Sequence, residues 1–268
     1  MLKKGYGKSS LLFTAIIVTF CTVLTLTAKG AELTKNEILK TLKTTSKPSK
    51  SLLPDSVSIK TGFKHGEGDP VGEVQMRQGE VLVVHKGQTV AFRLKKGFLV
   101  YTGDMLITGE NSRLNLVMGD QSTLGMSAYS KLIIDKSIYD PAKNERSSTL
   151  QLIFGQIRCI VKKIKGEPNY RVRTPTAVAG VRGSDFVISV SRGADGNITT
   201  IIVTGPNTNL TLTNLQGLPM QNLNSNSVNA IGSKGQSVTF KVTGKISKNI
   251  LDKISSSFAD MSMPPEYD

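Results

Sequence analysis

From about residue 56 to residue 203 the chain repeats one pattern, a short run of alternating apolar and polar residues followed by a turn signal. Leu114, Leu116 and Met118 fall on one side of such a run, with Arg113 and Asn115 on the other. Leu150, Leu152 and Phe154 repeat the alternation around Gln151. A period of two sends successive side chains to opposite faces of a strand, one toward a core and one toward water. Gly103-Asp104, Gly109-Glu110, Gly119-Asp120 and Gly155 supply the turns between runs. Strands are expected at 80–85, 89–94, 98–101, 112–118, 130–135, 149–154, 156–162, 170–173, 185–191 and 198–203. Many short strands at near-regular spacing specify an all-β sandwich, barrel or short solenoid.

The first thirty residues have a different design. Lys3, Lys4 and Lys8 precede an uncharged run from Leu11 to Thr27, and Ala28-Lys29-Gly30 closes it with small residues. A basic start, an apolar middle and a small-x-small end make a secretory signal peptide, with cleavage expected between Gly30 and Ala31. The alternative is an uncleaved membrane anchor, for which this run is short and rich in Thr. Phe20 stands before Cys21, where a lipid-modified cysteine follows a small residue, so lipidation is not expected. Either way the bulk of the chain crosses, and a periplasmic or secreted location is expected.

Removing residues 1–30 removes four lysines and no acid, leaving 30 Lys+Arg against 20 Asp+Glu, a net charge of +10. That excess favours anionic glycans, lipid head groups or acidic proteins, or it simply solvates a scattered lysine surface. Cys159 alone remains after cleavage and falls in step with Ile157 and Val161, so it is read as a buried, inert thiol.

The flanks of the β region are less regular. Residues 31–55 are read as a short helix over 32–43 followed by a Ser/Thr/Pro linker. Residues 204–268 are read as a β extension: an Asn-rich loop, a strand at 237–242 and a terminal amphipathic helix. That helix would cover 245–258, with Ile246, Ile250, Leu251 and Ile254 on one face.

The densest motif is Thr174-Pro175-Thr-Ala177-Val-Ala-Gly180-Val181-Arg182-Gly183-Ser184-Asp-Phe186. Pro175 fixes φ and suits a strand edge, and the glycines permit a tight backbone excursion. Arg182 is read as tying loop carbonyls or a nearby carboxylate, with anion binding as the alternative. Together with Gly103-Asp104 and Gly119-Asp120-Gln-Ser122, this order and spacing resemble the FecR domain, an extracytoplasmic all-β module, over about residues 95–190. The resemblance implies a FecR-like β-sandwich or short twisted β-solenoid over 56–203. It implies structural roles for Thr174, Pro175, Ala177, Gly180, Val181, Arg182, Gly183, Ser184, Phe186, Gly103, Asp104, Asp120 and Ser122. Familiar members carry a cytoplasmic sigma-binding segment and receive signals from outer-membrane transporters. Only about ten residues precede the apolar run here, so that inner segment is not expected.

No catalytic constellation accompanies the β pattern. His65 and His85 lack ligand spacing, and Glu67 with Asp69 falls short of a calcium cage. There is no Gly-x-Ser-x-Gly elbow, and no Ser-x-x-Lys accompanies Lys60-Thr61-Gly62. The expectation is a non-enzymatic envelope interaction or sensory scaffold with protein partners, without cofactor, metal or nucleic acid. The alternative is a basic module binding anionic glycan or lipopolysaccharide.

Overall fold

Gly155, expected as a turn, lies inside one continuous strand, Glu145–Val161, in the computed structural model of the protein. The structure describes residues 47–48, 51–143, 145–163, 169–193, 195–233 and 235–241. All lie in the second of two compact units, Asn36–Asp268. The leader, its cleavage point and both expected helices lie outside the described residues.

The strands in chain order begin with β1 (Ser58–Lys60), β2 (Pro70–Gln78), β3 (Val81–Val84), β4 (Val90–Arg93), β5 (Leu99–Tyr101) and β6 (Met105–Thr108). Next come β7 (Arg113–Met118), β8 (Thr123–Met126), β9 (Lys131–Asp140), β10 (Glu145–Val161), β11 (Tyr170–Arg173) and β12 (Val178–Val181). The last are β13 (Ser184–Arg192), β14 (Ile198–Thr204), β15 (Leu210–Thr213), β16 (Pro219–Leu223), β17 (Ser227–Gly232) and β18 (Ser237–Lys241).

They form two sheets. The first runs β1-β4-β3-β6-β9-β10-β11-β12-β15-β16. The second runs β5-β2-β7-β8-β10-β13-β14-β17-β18. Strand β10 belongs to both: its N-terminal part pairs with β9 and β11, and residues 155–161 pair with β13. Gly155 makes the transfer at φ 90°, and a Cβ there would lie 2.5 Å from the Tyr129 carbonyl oxygen and the Ser130 Cα. Only glycine fits so close a backbone approach. The fold is therefore a sandwich whose chain steps between layers, nearly in sequence order, as a solenoid would.

Alternation selects the core. Val83, Leu106, Leu132, Leu150 and Val172 of the first sheet meet Leu116, Leu124, Ile157, Phe186 and Ile188 of the second in one apolar cluster. A smaller cluster covers the outer face of the first sheet, where Leu82, Val84, Ala91 and Ile107 are buried. Leu52 and Leu53, from the segment read as linker, pack there, and Lys131 Nζ donates to the Leu52 carbonyl at 3.0 Å.

Buried hydroxyls fasten successive windings, and the same knot occurs twice. Thr108 Oγ1 accepts from Ser130 N at 2.8 Å and donates to the Ser127 carbonyl at 2.6 Å. Thr204 Oγ1 accepts from Ser227 N at 2.8 Å and donates to the Asn224 carbonyl at 2.7 Å. Each knot satisfies backbone groups that the chain buries where one strand ends and a later one begins.

Candidate functional site

The two Gly-Asp turns are built alike. Each turns the chain between consecutive strands and sends its carboxylate inward to meet one basic side chain.

At Gly103-Asp104, between β5 and β6, Asp104 is 1% exposed. Its Oδ2 accepts from Tyr101 N at 2.8 Å, and its Oδ1 lies 2.7 Å from His85 Nδ1. His85 Nε2 donates to the Lys64 carbonyl at 2.7 Å. A carbonyl only accepts, so the second ring nitrogen also carries a proton when both bonds are made. The hydrogen bond to Asp104, acting against burial, raises the imidazole pKa above its ordinary 6.5. The ring clamps the loop between β1 and β2 onto the sandwich, and His65 Nδ1 meets the Tyr101 hydroxyl at 3.1 Å beside it.

At Gly119-Asp120, between β7 and β8, Asp120 Oδ1 accepts from Ser122 N at 3.0 Å, and Oδ2 accepts from Ser122 Oγ at 2.9 Å. Arg146 Nη1 donates to Asp120 Oδ2 at 3.0 Å and to the Lys162 carbonyl at 3.1 Å. The Arg146 side chain is fully buried, and its guanidinium lies 5.2 Å from the Tyr170 ring centroid. Among the described residues Arg146 Nε and Nη2 have no hydrogen-bond partner, so the aromatic face is the favourable contact offered to the remaining charge. Tyr170 also stands beside Cys159, whose thiol burial pushes up to about 12.

The third motif segment is a turn and the strand after it. Thr174 Oγ1 donates to the Ala177 carbonyl at 3.0 Å and accepts from Ala177 N at 3.1 Å, closing the turn through Pro175 between β11 and β12. Thr200 Oγ1 on β14 donates to Thr174 Oγ1 at 3.1 Å, tying the turn to the other sheet. Ala177, Val181 and Phe186 enter the core. Gly180 lies within β12 and carries no positive φ. Gly183 does (φ 155°), and a Cβ there would lie 2.6 Å from the Lys163 Cα. Ser184 Oγ donates to the Gly183 carbonyl at 2.6 Å.

Arg182 is exposed and makes no hydrogen bond or ion pair among the described residues. The expected tie is made instead by Arg158, whose Nε and Nη2 donate to the two Asp185 oxygens at 2.8 and 2.6 Å. The physical reason is direction: Val181 points into the core, so Arg182, one residue on, points to solvent.

The Gly103-Asp104 turn meets the β1–β2 loop, whereas the Asp120 cluster and the Gly183 segment are neighbours, both set against residues 162–163 and Tyr170. The Asp104 and Asp120 carboxylates and the Thr174 hydroxyl are consumed by the fold, and Arg182 is left at the surface. Sequence reasoning missed His85, Arg146 and Arg158 as the partners of these carboxylates. Among the described residues no group of three or more His, Cys, Asp or Glu side chains could hold a metal ion. A mostly apolar cleft of about 450 Å³ opens beneath Leu52 and Leu53, against Leu82 and Ile107. Among the described residues no helix is long and apolar enough to cross a membrane.

No match to the chain was found among curated proteins. Among solved structures, two crystal structures of a provisionally assigned anti-sigma factor from Parabacteroides distasonis ATCC 8503, at 1.65 and 2.50 Å resolution, are similar. Each is 12% identical with a TM-score of 0.41, and the match covers 53% of this chain and 61% of that one. The chain thus spans less than two thirds of the length of that protein. The FecR protein family profile matches residues 104–206, which starts at the first buried aspartate and runs past the end of β14. It begins later and ends later than the stretch carrying the resemblance in the sequence, because it takes in β14, the partner of β13 in the second sheet. Over residues 104–206 this protein is similar to the FecR protein family.

Proposed function

We propose that the protein is a non-enzymatic, exported scaffold that contacts other proteins of the cell envelope through strand edges and turns. The observation that carries this reading is the FecR-like region itself, whose motif carboxylates point inward and are spent on structure. Recognition is then left to the surface. The β15–β16 turn presents it most openly, with Leu215 47% and Leu218 62% exposed. Among the described residues strand β16 ends the first sheet, so its outer backbone groups can take an added strand. Two exposed leucines beside an open edge suit a protein partner better than a soluble sugar.

The test is crosslinking of intact cells expressing the full chain with a C-terminal tag. Recovery at low and at high salt, followed by mass spectrometry, identifies partners and reads the mature N-terminus. The expected result is one discrete envelope protein retained at high salt and an N-terminus at Ala31. Recovery of glycan or lipid alone, lost when salt shortens the Debye length to about 3 Å near 1 M, contradicts the scaffold reading.

A further inference from the structure

Beside β1 and the β4–β5 turn lies a second cleft, of about 260 Å³, lined by Lys60, Thr61, Gly62, Phe63, Arg93, Lys95 and Phe98. Three cations and two aromatic rings share it, and among the described residues no acidic side chain lines it. The Lys60 and Lys95 side chains are exposed and make no hydrogen bond or ion pair among the described residues. Arg93 Nη2 donates to Glu80 Oε1 at 3.2 Å, but both side chains are half exposed, and such a pair yields readily to a second anion. The Phe63 and Phe98 rings lie 4.0 Å apart at 35° and pack against the core, so they form a fixed apolar wall. Phe63 is held by its neighbour: the Lys64 carbonyl accepts from buried His85, which pins this stretch of loop to the sandwich.

We propose that this cleft binds a small anionic ring compound, with the carboxylate between Lys60, Lys95 and Arg93 and one apolar ring face against Phe63 and Phe98. The volume admits a single ring with its acid group, below the usual range of about 300–1,000 Å³ for larger ligands. Ammonium and guanidinium donors suit a carboxylate, and an aromatic wall suits either the C–H face of a sugar acid or the π-face of an aryl acid. The site is separate from the β15–β16 turn and stands or falls independently of the scaffold reading.

The experiment is an NMR titration of the full chain, isotope-labelled, with glucuronate and with benzoate. Glucose, benzamide, acetate and inorganic phosphate serve as controls. Saturable shifts of the Gly62, Phe63 and Phe98 amides are expected at ring-acid concentrations up to about 50 mM, with the neutral counterparts at least about tenfold weaker. The tighter of the two acids identifies the source as sugar acid or aryl acid. Lys60→Ala with Lys95→Ala, both at exposed positions, should weaken binding by about tenfold or more with the rest of the spectrum unchanged. Binding of neither ring acid overturns the proposal. So does equal binding by glucose or benzamide, by acetate or phosphate, or by the double variant.

Discussion

Arg146 illustrates what a single buried charge demands. Its guanidinium has left water, and Asp120 is its counter-charge. Removing one partner of such a pair leaves the other buried and uncompensated, at about 3–5 kcal/mol. Asp120→Ala and Arg146→Ala should each lower stability by that amount in denaturant unfolding. A cost near that of a surface pair would show that the cluster is wetter than its geometry. His85 makes a prediction about pH. Its pKa is raised in the fold from 6.5, so its bonds to Asp104 and Lys64 stabilise fully below pH 6.5. That contribution is lost as pH rises through the folded-state value. Thermal unfolding of wild type should therefore lose stability over that window relative to His85→Gln, and parallel curves for the two would contradict the clamp. Cys159 is wholly buried with its thiol pushed up to about 12, so iodoacetamide at neutral pH should label it only in denaturant. Two of these partners were legible in outline. His85 keeps step with Val81 and Val83, and Arg146 with Leu150 and Leu152, so alternation already points both inward. Which carboxylate each meets depends on register between distant strands, and no local pattern carries that.

Strands are readable where they alternate or where they form a continuous β-branched apolar run, as in β3 and β14. Strands β7, β11 and β13 fall where the sequence expects them. Strand β8 was missed: its four residues, Thr123–Met126, are all buried and include a glycine, so no period appears. Strand β2 was missed for another reason, since it opens on Pro70 and shifts register between Val74 and Met76. Gly155 was misread because a glycine in a strand run signals a turn as readily as a crossing between sheets. The glycines of the densest motif now separate by geometry. Gly183→Ala forces a Cβ onto the Lys163 backbone at a φ that side chains avoid, and should cost about 1–3 kcal/mol. Gly180→Ala meets only the Thr211 carbonyl at 3.6 Å, an ordinary contact, and should stay within about 0.5 kcal/mol. Equal effects in chemical denaturation would refute this distinction between them.

Across the whole molecule, two sheets are wound from one chain in nearly sequential order, with β10 serving both. Such a body is assembled from neighbours, and its internal polar groups are devoted to holding windings together. On the proposed reading, the business of the protein falls to its edges, turns and surface cleft. The all-β class and the FecR resemblance were legible because alternation and the Gly-Asp and Thr-Pro turns are local signals. The exposed Leu215 and Leu218 were not, because a lone leucine in an Asn-rich stretch reads equally well as core. The scaffold reading is tested most directly by recovering crosslinked partners at about 1 M salt from cells carrying wild type or Leu215→Asp with Leu218→Asp. The account predicts one envelope protein retained by wild type and lost from the double variant, with export and folding unchanged. Equal recovery from both, or no protein recovered with wild type, would contradict it.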